Sequence, residues 1–215
     1  MLTVASAFAL ASFVLGAAGL ALRGRRTARR ALPPDRSPLK GDPARGVVYA
    51  FTLGMAPWAK ESTRLHALAY LRGIGFHLGI FLAMAALLLR PLWASLPWPA
   101  LKAVAVAIIV CGLLGAGGAA ARLRERSLRR LSTRDDHFAV WLVSAFILAT
   151  GLALLVDAWI VPAYLIAGVM FLYVPLGKIR HCLYFFFARL FFGKFVGRRG
   201  VLPHATTATR TAGVR

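Results

Sequence analysis

Acidic residues and cysteines are scarce in this chain of 215 residues, with 7 Asp and Glu against 27 Lys and Arg, and 2 cysteines. The shortage of acids leaves no pair of apolar-run carboxylates for general acid–base work: six lie in the positively charged connecting segments and the seventh, Asp157, sits at a turn. Cys111 and Cys182 supply neither a Cys-x-x-Cys-His haem attachment nor the four thiolates of an iron–sulfur cluster, so any haem is non-covalent and b-type. Charge of either sign is thin, at 16%, while hydrophobic residues make up 59% and mean hydropathy is +0.69. A soluble domain of this length would have more apolar surface than it could hide. No internal repeat, glycine-rich phosphate loop or hydrolytic triad is present.

Long uncharged runs take their place. They cover Leu2 to Leu22, Gly73 to Leu89, Ala103 to Ala121, Phe138 to Val156 and Ala158 to Gly177. With flanking residues, each has the length to cross a hydrocarbon core of roughly 30 Å at about 1.5 Å per residue. The expected fold is therefore all-α, an integral membrane bundle of five transmembrane helices. A cleaved signal peptide would carry its positive charge ahead of the apolar stretch, whereas here Arg23, Arg25 and Arg26 follow it, so the first run is expected to be retained as a span.

The net charge of +20 is unevenly placed. Arg23 to Leu68 carries ten Lys or Arg, Arg122 to Asp136 six and the tail from Lys178 eight, while the opposite ends of the runs have only Arg90 and Lys102. Positive charge collects on cytoplasmic loops, which puts the amino terminus outside and the carboxy terminus in the cytoplasm of a multi-pass inner-membrane protein. Topology and lipid contact account for the charge, and no nucleic acid is implied. The expected divisions are a first transmembrane helix over 1–22, a basic cytoplasmic loop with an interfacial segment over 23–68, a four-helix membrane region over 69–187 and a basic cytoplasmic tail over 188–215. Within the loop, Pro33, Pro34, Pro38 and Pro43 exclude one uninterrupted helix. The stretch from Gly46 to Lys60, broken by Pro57, is too short to span and suits the membrane interface.

Two of the five histidines fall inside spans, where an ionisable side chain is costly enough to point to function. His77 lies about 12 Å into the second span and His181 about 9 Å from the same face if the fifth span leaves near Phe187. Gly73 and Gly177 each precede a histidine by four residues, a spacing that shares one helical face and leaves room for a flat porphyrin. Arg72, Lys178 and Arg180 lie where they can pair with haem propionates. These residues form the candidate site: His77 and His181 as axial iron ligands, with Gly73, Gly177, Arg72, Lys178 and Arg180 around one haem b. His66 is outside the span, His137 follows Asp135 and Asp136 at a helix start, and His204 is in the polar tail, so none is expected to ligate iron.

Gly-Phe-His-Leu-Gly-Ile-Phe over Gly75 to Phe81 and Phe-Leu-Tyr-Val-Pro-Leu-Gly-Lys-Ile-Arg-His over Phe171 to His181 resemble the respiratory nitrate reductase gamma subunit family of membrane cytochromes b. The resemblance covers roughly Leu65 to Phe192. It implies haem between the second and fifth helices, with quinol electrons passing to a cytoplasmic iron–sulfur subunit, and it matches His77 and His181 to the ligand pair nearer the cytoplasm. The family's second pair would fall at Leu87 and Ala163, which cannot ligate iron, so a single-haem member is implied. Lys102 is similar in place to a lysine near that family's quinol pocket, though a boundary lysine also serves as an anchor. The expected function is that of an electron-transfer subunit between the quinone pool and an iron–sulfur partner, rather than a stand-alone catalyst. The alternative is a cofactor-free transporter or scaffold whose two histidines line a proton or substrate path.

Overall fold

The computed structural model describes residues 1–30, 34–59 and 61–202, and among them every regular element is helical. Four helices are long and apolar enough to cross a membrane: α1 (Leu2–Ala28), α4 (Ala67–Leu88), α5 (Trp98–Arg124) and α7 (Arg134–Ala153). Two short helices, α2 (Pro43–Phe51) and α3 (Glu61–Leu65), precede α4, and α6 (Arg126–Leu131) links α5 to α7. A fifth span is counted when α8 (Ile160–Tyr173) and α9 (His181–Arg198) are taken together as one interrupted crossing. The chain is a multi-pass membrane protein.

The interruption differs from the single helix expected to run to Phe187, and Pro175 explains it. Proline has no N–H to donate and its ring clashes with the carbonyl four residues back, so α8 stops at Tyr173. The backbone N–H groups of Leu176 and Gly177 both turn back onto the Tyr173 carbonyl at 2.9 Å. Residues Lys178–Arg180 then form one 3-10 turn, and His181 opens α9. α1, by contrast, outlasts its apolar run by six residues, from Leu22 to Ala28. Arginine is a good helix former, so the end of hydrophobicity at Leu22 does not end the helix.

The chain divides into two compact units. The first, Met1–Arg29 with His66–His181, packs around α7, which contacts α4, α5 and α8, while α1 lies along α8. Phe146, Ile147 and Ile108 are its largest fully buried apolar side chains. Small residues carry the helix crossings, as expected where lipid is as apolar as the interface and close packing must supply the attraction. At Gly16, for example, an added Cβ would strike the Phe171 carbonyl oxygen. Buried hydroxyls are satisfied within their own helix: Thr150 donates to the Phe146 carbonyl and Ser144 to that of Val140, both at 2.8 Å.

The second unit, Arg30–Leu65 with Cys182–Arg215, brings α2 against α9. Asp42 caps α2 by accepting from the Ala44 N–H at 2.8 Å, and Pro43 follows in the first turn, where its missing N–H costs nothing. α2 begins at the last of the four prolines and covers the first part of the Gly46 to Lys60 stretch, which is too short to span. Gly46 faces Gly193 and Gly197 so closely that a methyl group at any of the three would meet backbone. The Phe51 ring lies 6.2 and 6.3 Å from those of Phe185 and Phe186. At the end of α9, Arg198 and Arg199 fasten the segment before α2, with Arg198 Nε donating to the Ser37 carbonyl at 2.8 Å and Arg199 paired to Asp35 at 2.9 Å.

Candidate functional site: a facing pair of histidines

α4 and the first residue of α9 bring the two candidate imidazoles together. The ring centroids of His77 and His181 lie 6.3 Å apart with planes at 85°. Each Nδ1 is 2.7 Å from a backbone carbonyl, that of Gly73 for His77 and that of Lys178 for His181. A carbonyl oxygen only accepts, so Nδ1 carries the proton in both rings and Nε2 is the nitrogen left with a lone pair when the ring is neutral. Metal-ligating histidines have this arrangement, because the second hydrogen bond fixes both tautomer and ring orientation. Both residues are exposed at the surface of the protein and not enclosed by it, so in this unit depth along the span and burial by neighbouring helices are separate properties.

The separation can be tested against coordination geometry. Two imidazoles on opposite faces of one metal at about 2 Å, each with its centre about 1 Å behind the ligating nitrogen in a ring with bonds of about 1.35 Å, have centroids about 6 Å apart. The observed 6.3 Å is compatible with this spacing, and it is also the spacing of an ordinary edge-to-face ring pair. Among the described residues no group of three or more His, Cys, Asp and Glu could hold a metal ion. Two histidines alone cannot complete the shell of a bare transition ion. A porphyrin brings four nitrogens of its own, and for it two are enough.

The surrounding residues fit this reading unequally. A Cβ at Gly73 would meet nothing within 4 Å, so open space adjoins the turn before His77. Gly177 is different: the break after α8 removes it from the helix of His181, and a Cβ there would strike the Tyr173 ring. The expectation that Gly177 shares a helical face with His181 is therefore corrected, and its lack of a side chain serves Tyr173. Of the three cations, Lys178 is engaged with Asp136 at 3.0 Å and Arg180 Nη1 donates to the Leu176 carbonyl at 3.0 Å. Arg72 lies against the bare backbone of Gly118 and, among the described residues, has no ion-pair or hydrogen-bond acceptor.

Sequence reasoning missed the polar scaffold beside the histidines. Thr133 and Asp136 form a reciprocal cap at the start of α7, and Tyr173 donates to the Asp135 carboxylate while its ring packs edge-on to Phe138 at 4.8 Å. The Thr-x-x-Asp spacing of the cap was readable in the sequence, but its link to Lys178 joins segments over forty residues apart. Phe76 stands edge-on to His77 at 5.9 Å. The other histidines remain apart: His66 caps α4 without a side-chain bond, and His137 Nδ1 is buried without a partner among the described residues. His204 lies outside the described residues. Leu87 and Ala163 are both buried in the protein's own hydrophobic core, with Tyr164 donating to the Leu87 carbonyl at 3.2 Å. No family model, curated protein or solved structure matches the chain.

Proposed function

We propose that the chain is a membrane-anchored cytochrome b subunit, related to the nitrate reductase gamma family, which passes electrons between the quinone pool and a cytoplasmic iron–sulfur partner through one b-type haem. The observation that carries this reading is the pair of imidazoles 6.3 Å apart, each with Nδ1 tied to a carbonyl. A bound haem supplies one-electron chemistry at an iron whose potential depends on axial ligands, burial and nearby charge. His77 and His181 would hold the iron through Nε2, with the Gly73 and Lys178 carbonyls keeping the rings in that tautomer. Arg72, which has no ion-pair or hydrogen-bond acceptor among the described residues, would pair with a propionate. The packed positions Leu87 and Ala163 favour a single haem.

The same end of this unit exposes Arg124, Arg126, Arg129 and Arg130. We assign it to the cytoplasmic side of the inner membrane on the positive-inside rule, with the amino terminus outside and the carboxy terminus inside. A basic face near the redox centre steers an acidic partner toward it. The test is the colour of the purified protein. The expected result is a low-spin, bis-imidazole b-type spectrum that sharpens on reduction with dithionite. A protein without a Soret band overturns the proposal and leaves the two histidines to a cofactor-free proton or substrate path.

A further inference from the structure

The opposite end of the histidine-bearing unit holds a cleft of about 570 Å³. It is built where α4 and α7 end and α5 and α8 begin, so it sits at the ends of membrane spans, at the level of lipid headgroups. Leu101, Leu154 and Ile160 give it apolar walls, Trp93 and Trp98 flank it, and Arg90 and Asp157 bring one charge of each sign. Arg90 and Asp157 make no ion pair with each other, nor with any other described residue.

Arg90 is the informative member. Its guanidinium carbon lies 6.0 Å from the centre of the Trp93 ring, and its Nε is buried without a hydrogen-bond partner among the described residues. A buried donor on a charged group is costly to leave unsatisfied, and costlier at a membrane boundary. Among the described residues no neighbouring polar group is bonded to it. Trp93 Nε1 is a donor already given to the Ala86 carbonyl at 3.0 Å, and the Tyr164 hydroxyl is directed to Leu87. The guanidinium is therefore open to an acceptor brought into the cleft by a ligand. Asp157, exposed at the turn before α8, lines the same cleft without an ion pair among the described residues and can accept from a cation there.

We propose that this cleft binds the headgroup of a zwitterionic phospholipid, with the phosphodiester against Arg90 and the ammonium against Asp157. A ligand carrying phosphate alone satisfies Arg90 but sets like charge beside Asp157. A neutral acceptor compensates neither. A phosphate joined to a primary ammonium answers both, and its acyl chains continue into the bilayer past Leu101 and Ile160, while the tryptophan rings are already occupied by Arg90 and Lys102.

Native mass spectrometry of the full chain, purified in detergent and offered equal amounts of phosphatidylethanolamine and phosphatidylglycerol with identical acyl chains, tests this. The wild type should retain phosphatidylethanolamine several-fold over phosphatidylglycerol. Asp157→Asn, a change at an exposed turn, should bring the two lipids level, and Arg90→Leu should lose the bound lipid of either kind. Equal retention by the wild type, or a preference unmoved by Asp157→Asn, overturns the proposal. The Asp157→Asn arm decides the matter even where Arg90→Leu does not fold.

Discussion

Lys178 and Asp136 meet at 3.0 Å, joining the turn just before His181 to the first turn of α7. The carboxylate divides its two oxygens: Oδ1 takes Lys178, while Oδ2 accepts from the Thr133 backbone N–H at 2.9 Å. One side chain thus caps a helix and fixes the segment whose Lys178 carbonyl orients the His181 imidazole. The arrangement uses up a lysine that the sequence places beside the candidate haem.

The two halves of that junction should not be equal in stability. The Lys178 side chain is 57% exposed, and ion pairs in contact with solvent contribute about 0–1 kcal/mol. The cap closes inside the protein, and losing an N-cap costs about 0.5–2 kcal/mol. Thermal unfolding in detergent should rank Asp136→Ala as most destabilising, Thr133→Ala next and Lys178→Ala least. A larger loss for Lys178→Ala than for Thr133→Ala would mean that the ion pair and not the cap holds the junction.

The spans were legible because hydropathy alone specifies them, and both histidines were found for the same reason, as polar interruptions in α4 and near α8. What the sequence did not make plain is what lies between the elements. Pro175 was visible, yet the depth assigned to His181 assumed a helix continuing through it. Gly177 was read by its four-residue spacing, a rule that holds only within one helix. α2 was not legible as an element, because Asp42 and Pro43 act together as a helix start where a proline alone reads as an interruption. The pairings Asp136–Lys178 and Asp35–Arg199 depend on tertiary approach, which periodicity does not encode.

Ligation through both rings predicts a sharp mutational pattern. His77→Ala and His181→Ala should each abolish the low-spin spectrum, since one remaining imidazole leaves the iron under-coordinated. His137→Ala should leave the spectrum in place despite its unpartnered nitrogen. A pyridine haemochrome assay should give one haem per chain. Loss of the band on changing His137 would assign the pair wrongly.

Gly73 and Gly177 should now behave differently from each other. Leucine at Gly73 enters open space in the protein, so helix content and thermal stability should hold while haem occupancy falls. Leucine at Gly177 strikes Tyr173, so stability itself should fall, with haem lost as a consequence. Circular dichroism alongside the haem-to-protein ratio separates the two. Full haem occupancy in Gly73→Leu would place the cofactor elsewhere.

Arg72 should tune the potential where Lys178 does not. A cation beside a propionate favours the reduced haem, which carries one more negative charge, so removing it lowers the midpoint potential. Arg72→Leu should lower it by roughly tens of millivolts, on a scale where 59 mV is tenfold for one electron. Lys178, already neutralised by Asp136, should give a smaller shift as alanine. A redox titration with the order reversed would make Lys178 the propionate partner.

The Asp35–Arg199 pair makes a pH prediction for the second unit. Hydrogen bonds from Arg199 and Ser37 hold the Asp35 carboxyl well below its ordinary 3.8. A carboxylate whose value falls on folding adds stability that is fully present above the ordinary value and is lost only as pH drops through the depressed one. The tie should therefore survive at pH 3, where an unpaired aspartate is mostly protonated. Hydrogen exchange in the segment from Ser37 to Gly41 should be faster in Asp35→Ala than in the wild type at pH 6. The difference should persist at pH 3, because Lys40 and Gly41 donate backbone N–H groups to the Arg198 carbonyl beside the same pair. A difference that vanishes between pH 5 and pH 3 would mean that Asp35 titrates as a free carboxyl and that Arg199 does not hold it.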